Sequence, residues 1–143
     1  MTNLNDVRRA SATFYDALNK MAQGDDTAMQ DVWIKGDGVT AQHPIGGRDI
    51  GSDTILASFN QVARIAGGGD IRLEGQSINV GADMAVETGM EVGTLTLAGH
   101  EARIEHRVTN VYQRQGGGWK LAHHHTDLSP SMREILERLT EAA

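Results

Sequence analysis

Apolar residues recur at three- and four-residue steps through the first stretch of the chain, at Leu4, Val7, Ala10, Phe14, Ala17, Leu18 and Met21. This spacing puts them on one face of a helix over residues 4–22, which Gln23-Gly24-Asp25-Asp26 ends. Asp26 or Thr27 can cap a short second helix that includes Met29, Val32 and Trp33. The period then changes to two. Val39, Ala41 and His43 share one side of a predicted strand, and Pro44 ends it because it offers no N–H. Ile45-Gly46-Gly47-Arg48 reads as a loop. Helical spacing returns over residues 50–66, through Ile50, Thr54, Leu56, Phe59, Val62, Ala63 and Ile65, and Gly67-Gly68-Gly69 stops it.

From Asp70 to Asp127 alternation prevails, as expected of antiparallel strands. Residues 71–80 form the first, and Gly81-Ala82-Asp83 turns the chain. Met84, Val86, Thr88, Met90 and Val92 alternate on the next, and Gly93 is expected to bulge because Leu95 and Leu97 then carry the apolar parity. After Ala98-Gly99, residues 100–115 make a long strand. Its even positions, Ala102, Ile104, His106, Val108, Asn110 and Tyr112, form the core face, while Glu101, Arg103, Glu105 and Arg107 alternate in sign outside. Gly116-Gly117-Gly118 is a hairpin loop. In the strand that follows, Trp119, Leu121, His123, His125 and Asp127 share one parity, which is expected to face a pocket, with His124 and Thr126 turned outward. Ser129 and Pro130 open a last helix reaching about Ala142, striped by Met132, Ile135, Leu136 and Leu139. The order is helix, helix, strand, helix, four strands. It predicts an α+β domain with three helices on one face of a curved, mainly antiparallel sheet. Residues 1–143 read as one domain, with 129–143 as an amphipathic helical extension.

Composition narrows the chemistry. The chain has 143 residues, enough for one cored domain, and a formal net charge of −6 with no basic stripe, so no nucleic-acid partner is expected. It has no cysteine, which removes disulfides, thiolate metal centres and a cysteine nucleophile. The first residues lack the charged and apolar regions of a signal peptide, and no apolar run approaches membrane-spanning length. A cytoplasmic protein with no membrane association is the expectation.

What remains is rich in histidine. His43 sits on the inward parity of its strand, either as a general base near neutral pH or as a core-edge histidine bonded to backbone. His106, Asn110 and Tyr112 share the core face of the long strand, and a buried Asn needs partners, so Asn110 is either structural or a polar handle in a pocket. Tyr15 is the nearest phenol to that region, or else a surface tyrosine packed on a strand.

Three local motifs carry a resemblance. Phe14-Tyr15-Asp16-Ala17-Leu18-Asn19 followed by Gly24-Asp25, Gly118-Trp119-Lys120-Leu121-Ala122-His123-His124-His125, and His43-Pro44-Ile45-Gly46 are similar to signatures of the nuclear transport factor 2-like superfamily. Its members include ketosteroid isomerases, SnoaL-like polyketide cyclases and the association domain of calcium/calmodulin-dependent protein kinase II. The resemblance covers about residues 4–128. It implies a cone-shaped sheet around a pocket, helices on its concave side, and a homodimer through the outer face of the sheet. The usual steroid isomerase set of base, tyrosine and aspartate falls here on His43, Phe14 and a position near Asn110, so that activity is not expected. The expectation is a small-molecule pocket running metal-free acid/base proton transfer on a small apolar carbonyl compound, in an isomerase-, cyclase- or hydratase-like reaction. His43 and Asn110 would be the catalytic pair, with Phe14, Tyr15, His106, Tyr112, His123, His125 and Asp127 against the ligand. His123, His125 and Asp127 could also hold a cation, but relatives with the same strand need none, so no metal or cofactor is expected. The alternative is a non-catalytic dimeric module that binds a ligand or associates.

Overall fold

The computed structural model describes residues 3–141. Helix α1 (Asn3–Ala22) follows the apolar spacing, and a short 3-10 turn (Thr27–Asp31) stands where the second helix was expected. Strand β1 (Thr40–Gln42) is followed by β2 (Arg48–Ile50), α2 (Ser52–Ile65), β3 (Ala66–Val80), β4 (Met84–Leu97), β5 (His100–Gln115), β6 (Gly118–Thr126) and α3 (Pro130–Glu141). The end expected for α3, Ala142, lies outside the described residues. The sheet order is β2-β1-β6-β5-β4-β3. Among these strands only β1 and β6 pair in parallel; each other neighbouring pair is antiparallel. The sheet is therefore mixed and open, an α+β cone with α1, the 3-10 turn and α2 against its concave side. No helix among the described residues is long and apolar enough to cross a membrane.

Local chemistry explains where the architecture departs from the sequence pattern. The loop expected at 45–48 is a tight return: Gly46 and Gly47 take φ of 100° and 82°, which glycine adopts without a Cβ clash, and Arg48–Ile50 then pairs back on β1. Nor do Gly67–Gly69 form a terminating loop. They lie inside β3, in the irregularity between Ala66 and Gly69, so the helix feeds directly into the strand.

Two register facts decide what faces the interior. First, β4 pairs with β5 without interruption from Met84↔Gln113 to Leu97↔His100, so no bulge exists at Gly93. The parity of Leu95 and Leu97 therefore runs back through Glu91, Glu87 and Ala85, which are buried, while Met84, Val86, Met90 and Val92 lie on the outer face. Gly93 instead serves curvature. Its φ is 139°, and a Cβ there would stand 1.8 Å from the Asp70 carbonyl oxygen, so only glycine lets β3 cross this closely. Second, the irregularity falls in β6. Val111 pairs with His123 but Tyr112 with Leu121, leaving Ala122 as an extra residue. One extra residue reverses every side chain beyond it.

Two apolar clusters result. One, between α1, α2 and the sheet, holds Phe14, Leu18, Trp33, Phe59, Tyr112 and Leu121. The other holds Leu95, Leu97, Ala102 and Ile104 under Met132 and Ile135 of α3. Ser129 caps that helix as expected, accepting from the Met132 N–H. The C-terminal stripe is thus covered in part by its own subunit.

Candidate active site

Because of the bulge in β6, the inward histidine is His124, which is 3% exposed, not its neighbours. His123 and His125 project outward, with ring centroids 6.0 Å apart. His123 bonds the Thr40 hydroxyl at 2.7 Å. Asp127 also lies outside, held by two side-chain bonds to Arg107, Nε to Oδ2 at 2.7 Å and Nη2 to Oδ1 at 3.0 Å. Those bonds hold its carboxyl at about 2. The expected pocket wall of His123, His125 and Asp127 is corrected on this ground: their shared inward parity holds only for a strand without the extra residue.

On the concave face, against α1, lies a buried polar network. Glu91, 3% exposed, accepts from the Tyr15 hydroxyl at 2.8 Å and pairs with His106 Nε2 at 2.7 Å. Glu87, fully buried, accepts from Tyr112 at 2.8 Å, Gln76 at 2.7 Å and Asn110 Nδ2 at 3.0 Å. Asn110 joins the two halves, donating also to Tyr15 at 3.1 Å. Its Oδ1 then meets His124 Nδ1 at 2.6 Å. Burial pushes the Glu91 carboxyl up, but the His106 bond, the nearby imidazoles and Tyr15 outweigh it and hold it below the usual range. Burial, then Glu91, pushes the Tyr15 phenol far up, so it remains a donor. Tyr15 is therefore no surface residue, correcting the sequence reading.

The network fixes a tautomer. With Asn110 Nδ2 engaged by Glu87 and Tyr15, its Oδ1 is an acceptor, so His124 Nδ1 must carry the proton. Burial lowers the ring to about 4, so the imidazole is neutral at pH 7 and Nε2 bears a lone pair. A similar argument holds for His43. Its Nε2 lies 2.8 Å from Asp49 Oδ2, an oxygen that also accepts from the Ser58 hydroxyl. Nε2 therefore donates, and in the neutral ring Nδ1 is the nitrogen without a proton.

Both rings line one cavity of about 50 Å³, together with Glu91, His106 and an apolar wall that includes Leu18, Phe59, Leu95, Ile104 and Met132. His43 packs edge-on to Phe59 at 5.3 Å and His124 edge-on to Phe14 at 5.0 Å. Of the residues expected at the ligand, His43 and His106 line the cavity. Phe14, Tyr15, Tyr112 and Asn110 stand behind its wall and touch it only through others. Asn110 in particular has no free N–H to offer an oxyanion. Sequence reasoning missed His124, Glu87, Glu91 and Asp49. The Ala98-Gly99 hairpin held the signal for the two glutamates: continued pairing from that turn sets Glu87 opposite Asn110 and Glu91 opposite His106.

The comparisons agree with this architecture. A dehydratase, provisionally so named, of the nuclear transport factor 2-like family from Streptomyces avermitilis superposes with a TM-score of 0.76 at 23% identity, covering 87% of this chain and 94% of that one. A provisionally named scytalone dehydratase from Novosphingobium aromaticivorans gives 0.73 at 10% identity, covering 87% and 84%. A provisionally named calcium/calmodulin-dependent protein kinase type II association domain from Thiobacillus denitrificans gives 0.69 at 24% identity, covering 85% and 93%. At such identities these likenesses establish the fold. No curated protein matches. The sequence profile of the SnoaL-like domain matches residues 7–130, so the chain belongs to the SnoaL-like domain family.

Proposed function

We propose that the chain catalyses proton transfer beside a carbonyl of a small, uncharged, hydroxyl-bearing compound, as in dehydration or isomerisation. One observation carries this: the rings of His43, His106 and His124 line the same mostly apolar cavity, each with one nitrogen bonded to a protein oxygen, of Asp49, Glu91 and Asn110 respectively, and the other nitrogen with no hydrogen bond among the described residues. His43 is the base. Its partner Asp49 can balance the charge once Nδ1 has taken a proton from carbon, the arrangement that orients histidine bases generally. His124, held neutral, accepts a hydrogen bond from the substrate hydroxyl. In dehydration the proton on His43 leaves with the departing hydroxyl as water; in isomerisation it returns to another carbon. Solved relatives named as dehydratases favour the first. The cavity of about 50 Å³ has room for roughly three or four waters, so a larger substrate must displace Met132, a flexible side chain.

The probe is a panel of small β-hydroxy ketones in D₂O, followed by NMR. Wild type should incorporate deuterium beside the carbonyl or release water, and H43N should do neither. Incorporation no faster than buffer, or unchanged in H43N, defeats the reading.

A second reading concerns assembly. The outer face of the sheet carries Val86 paired with Val111, beside Met90 and Val92, an apolar strip on an otherwise charged surface. It supports a homodimer through that face, with or without catalysis.

A further inference from the structure

We propose that Glu87 and Tyr15 are positioning residues that act through Asn110 to set which nitrogen of His124 carries its proton. The inference deepens the proposed function and rests on it for its purpose, since only the Nδ1–H tautomer leaves His124 an acceptor nitrogen on the side of the ring away from Asn110. Glu87 does not line that cavity and makes no hydrogen bond to His124 among the described residues. It is nonetheless fully buried, in an interior position where a carboxyl group is unfavourable.

The logic is one of donors and acceptors. An Asn side chain can turn over, exchanging oxygen and nitrogen, and nothing in its shape prevents this. At position 110 two neighbours oppose it. Glu87 Oε1 lies 3.0 Å from Nδ2, and a turned amide would face oxygen to oxygen there. The Tyr15 oxygen lies 3.1 Å from the same nitrogen, and its proton is already given to Glu91 Oε2 at 2.8 Å. A turned amide would meet a second bare oxygen. Tyr112 and Gln76 hold Glu87 in place with bonds of 2.8 and 2.7 Å. Both buried carboxyls thus converge on one amide, Glu87 directly and Glu91 through Tyr15. That amide presents only oxygen to His124, at 2.6 Å. A hydrophobic pair at 87 and 15 would pack as well but would leave the imidazole free to choose.

The experiment is histidine-ring ¹⁵N NMR on the intact protein at pH 7, which needs no substrate. In wild type His124 should be the Nδ1–H tautomer alone. E87Q should keep it, because the new side-chain carbonyl still accepts from Asn110 while Gln76 turns over to accept from the new side-chain N–H. The double variant E87M/Y15F should lose exclusivity and show the Nε2–H form. An Nε2–H ring in wild type overturns the proposal, and so does an unchanged Nδ1–H ring in a folded double variant. If the double variant does not fold, N110L gives the decision: appearance of Nε2–H supports the lock and persistence of pure Nδ1–H overturns it. The two ideas fail separately. If deuterium incorporation is absent while the tautomer is as stated, the proposed reaction falls and the lock stands. If incorporation depends on His43 but wild-type His124 is Nε2–H, the lock falls alone.

Discussion

Burying His124 as a neutral ring makes stability depend on pH, in a direction and size that can be worked out. The folded-state value is about 4 against 6.5 for an ordinary histidine, because burial disfavours the imidazolium. Between those values the unfolded chain holds one more proton than the folded one. Stability therefore rises with pH across this window and is lost as pH falls from 6.5 toward 4. Each unit is worth about 1.4 kcal/mol, so the full effect is roughly 3–4 kcal/mol, of which roughly 2–3 kcal/mol should disappear between pH 7.5 and 4.5. With an m-value of about 2 kcal/mol/M, that moves the urea midpoint down by roughly 1 M.

The assay is urea unfolding by circular dichroism at half-unit steps from pH 7.5 to 4.5. Two other groups set the controls. His123 is also lowered, by partial burial and then by His125, so it adds a slope of the same sign. Its effect is read from H123Q. Glu91 is held low, so its contribution is present above the ordinary carboxyl range and is lost only as pH falls through its lowered folded value, beneath this window. H124Q should remove most of the slope that survives in H123Q. A wild-type midpoint flat between pH 6.5 and 4.5, or a slope undiminished in H124Q, would refute the placement of a neutral buried imidazole at 124.

Tyr15→Phe removes a donor to a buried carboxylate and an acceptor for Asn110. It should cost about 2–3 kcal/mol in equilibrium unfolding, and a loss below about 0.5 kcal/mol would mean that water from the neighbouring cavity takes over both bonds. Gly93→Ala places a Cβ 1.8 Å from the Asp70 oxygen at a φ of 139°. Thermal unfolding should show a loss of more than about 3 kcal/mol, and a Tm within a degree or two of wild type would show that β3 is free to move away. Val86→Lys puts a charge in the outer apolar strip, and where the proposal expects wild type to sediment as a dimer this variant should sediment as a monomer. An unchanged dimer would place the interface elsewhere.

How far the sequence was readable depends on which physical signal each residue left in it. α1 and the core face of β5 were plain, because helical spacing and unbroken alternation record one buried face directly. The triple histidine advertised a site but misreported its own geometry. Ala122 is as small and ordinary in a bulge as in a regular strand, so nothing in the local pattern warned that parity reverses before His124. The two glutamates were hidden by a different effect. Alternation shows which residues of a strand share a face but not which face is inside. In β4 the outer face holds Val86, Met90 and Val92 while the inner one holds Glu87 and Glu91, so hydrophobicity pointed the wrong way. Such an inversion is itself informative. A sheet that turns its valines out and its carboxyls in has a use for both. The outward strip is the face proposed above for a second copy of the chain. The inward carboxyls, satisfied by Tyr15, Tyr112, Gln76 and His106, direct their hydrogen bonds to aiming one amide at one imidazole. Burial alone would be served better by leucine. Both glutamates are therefore best understood by what they do to the proton on His124.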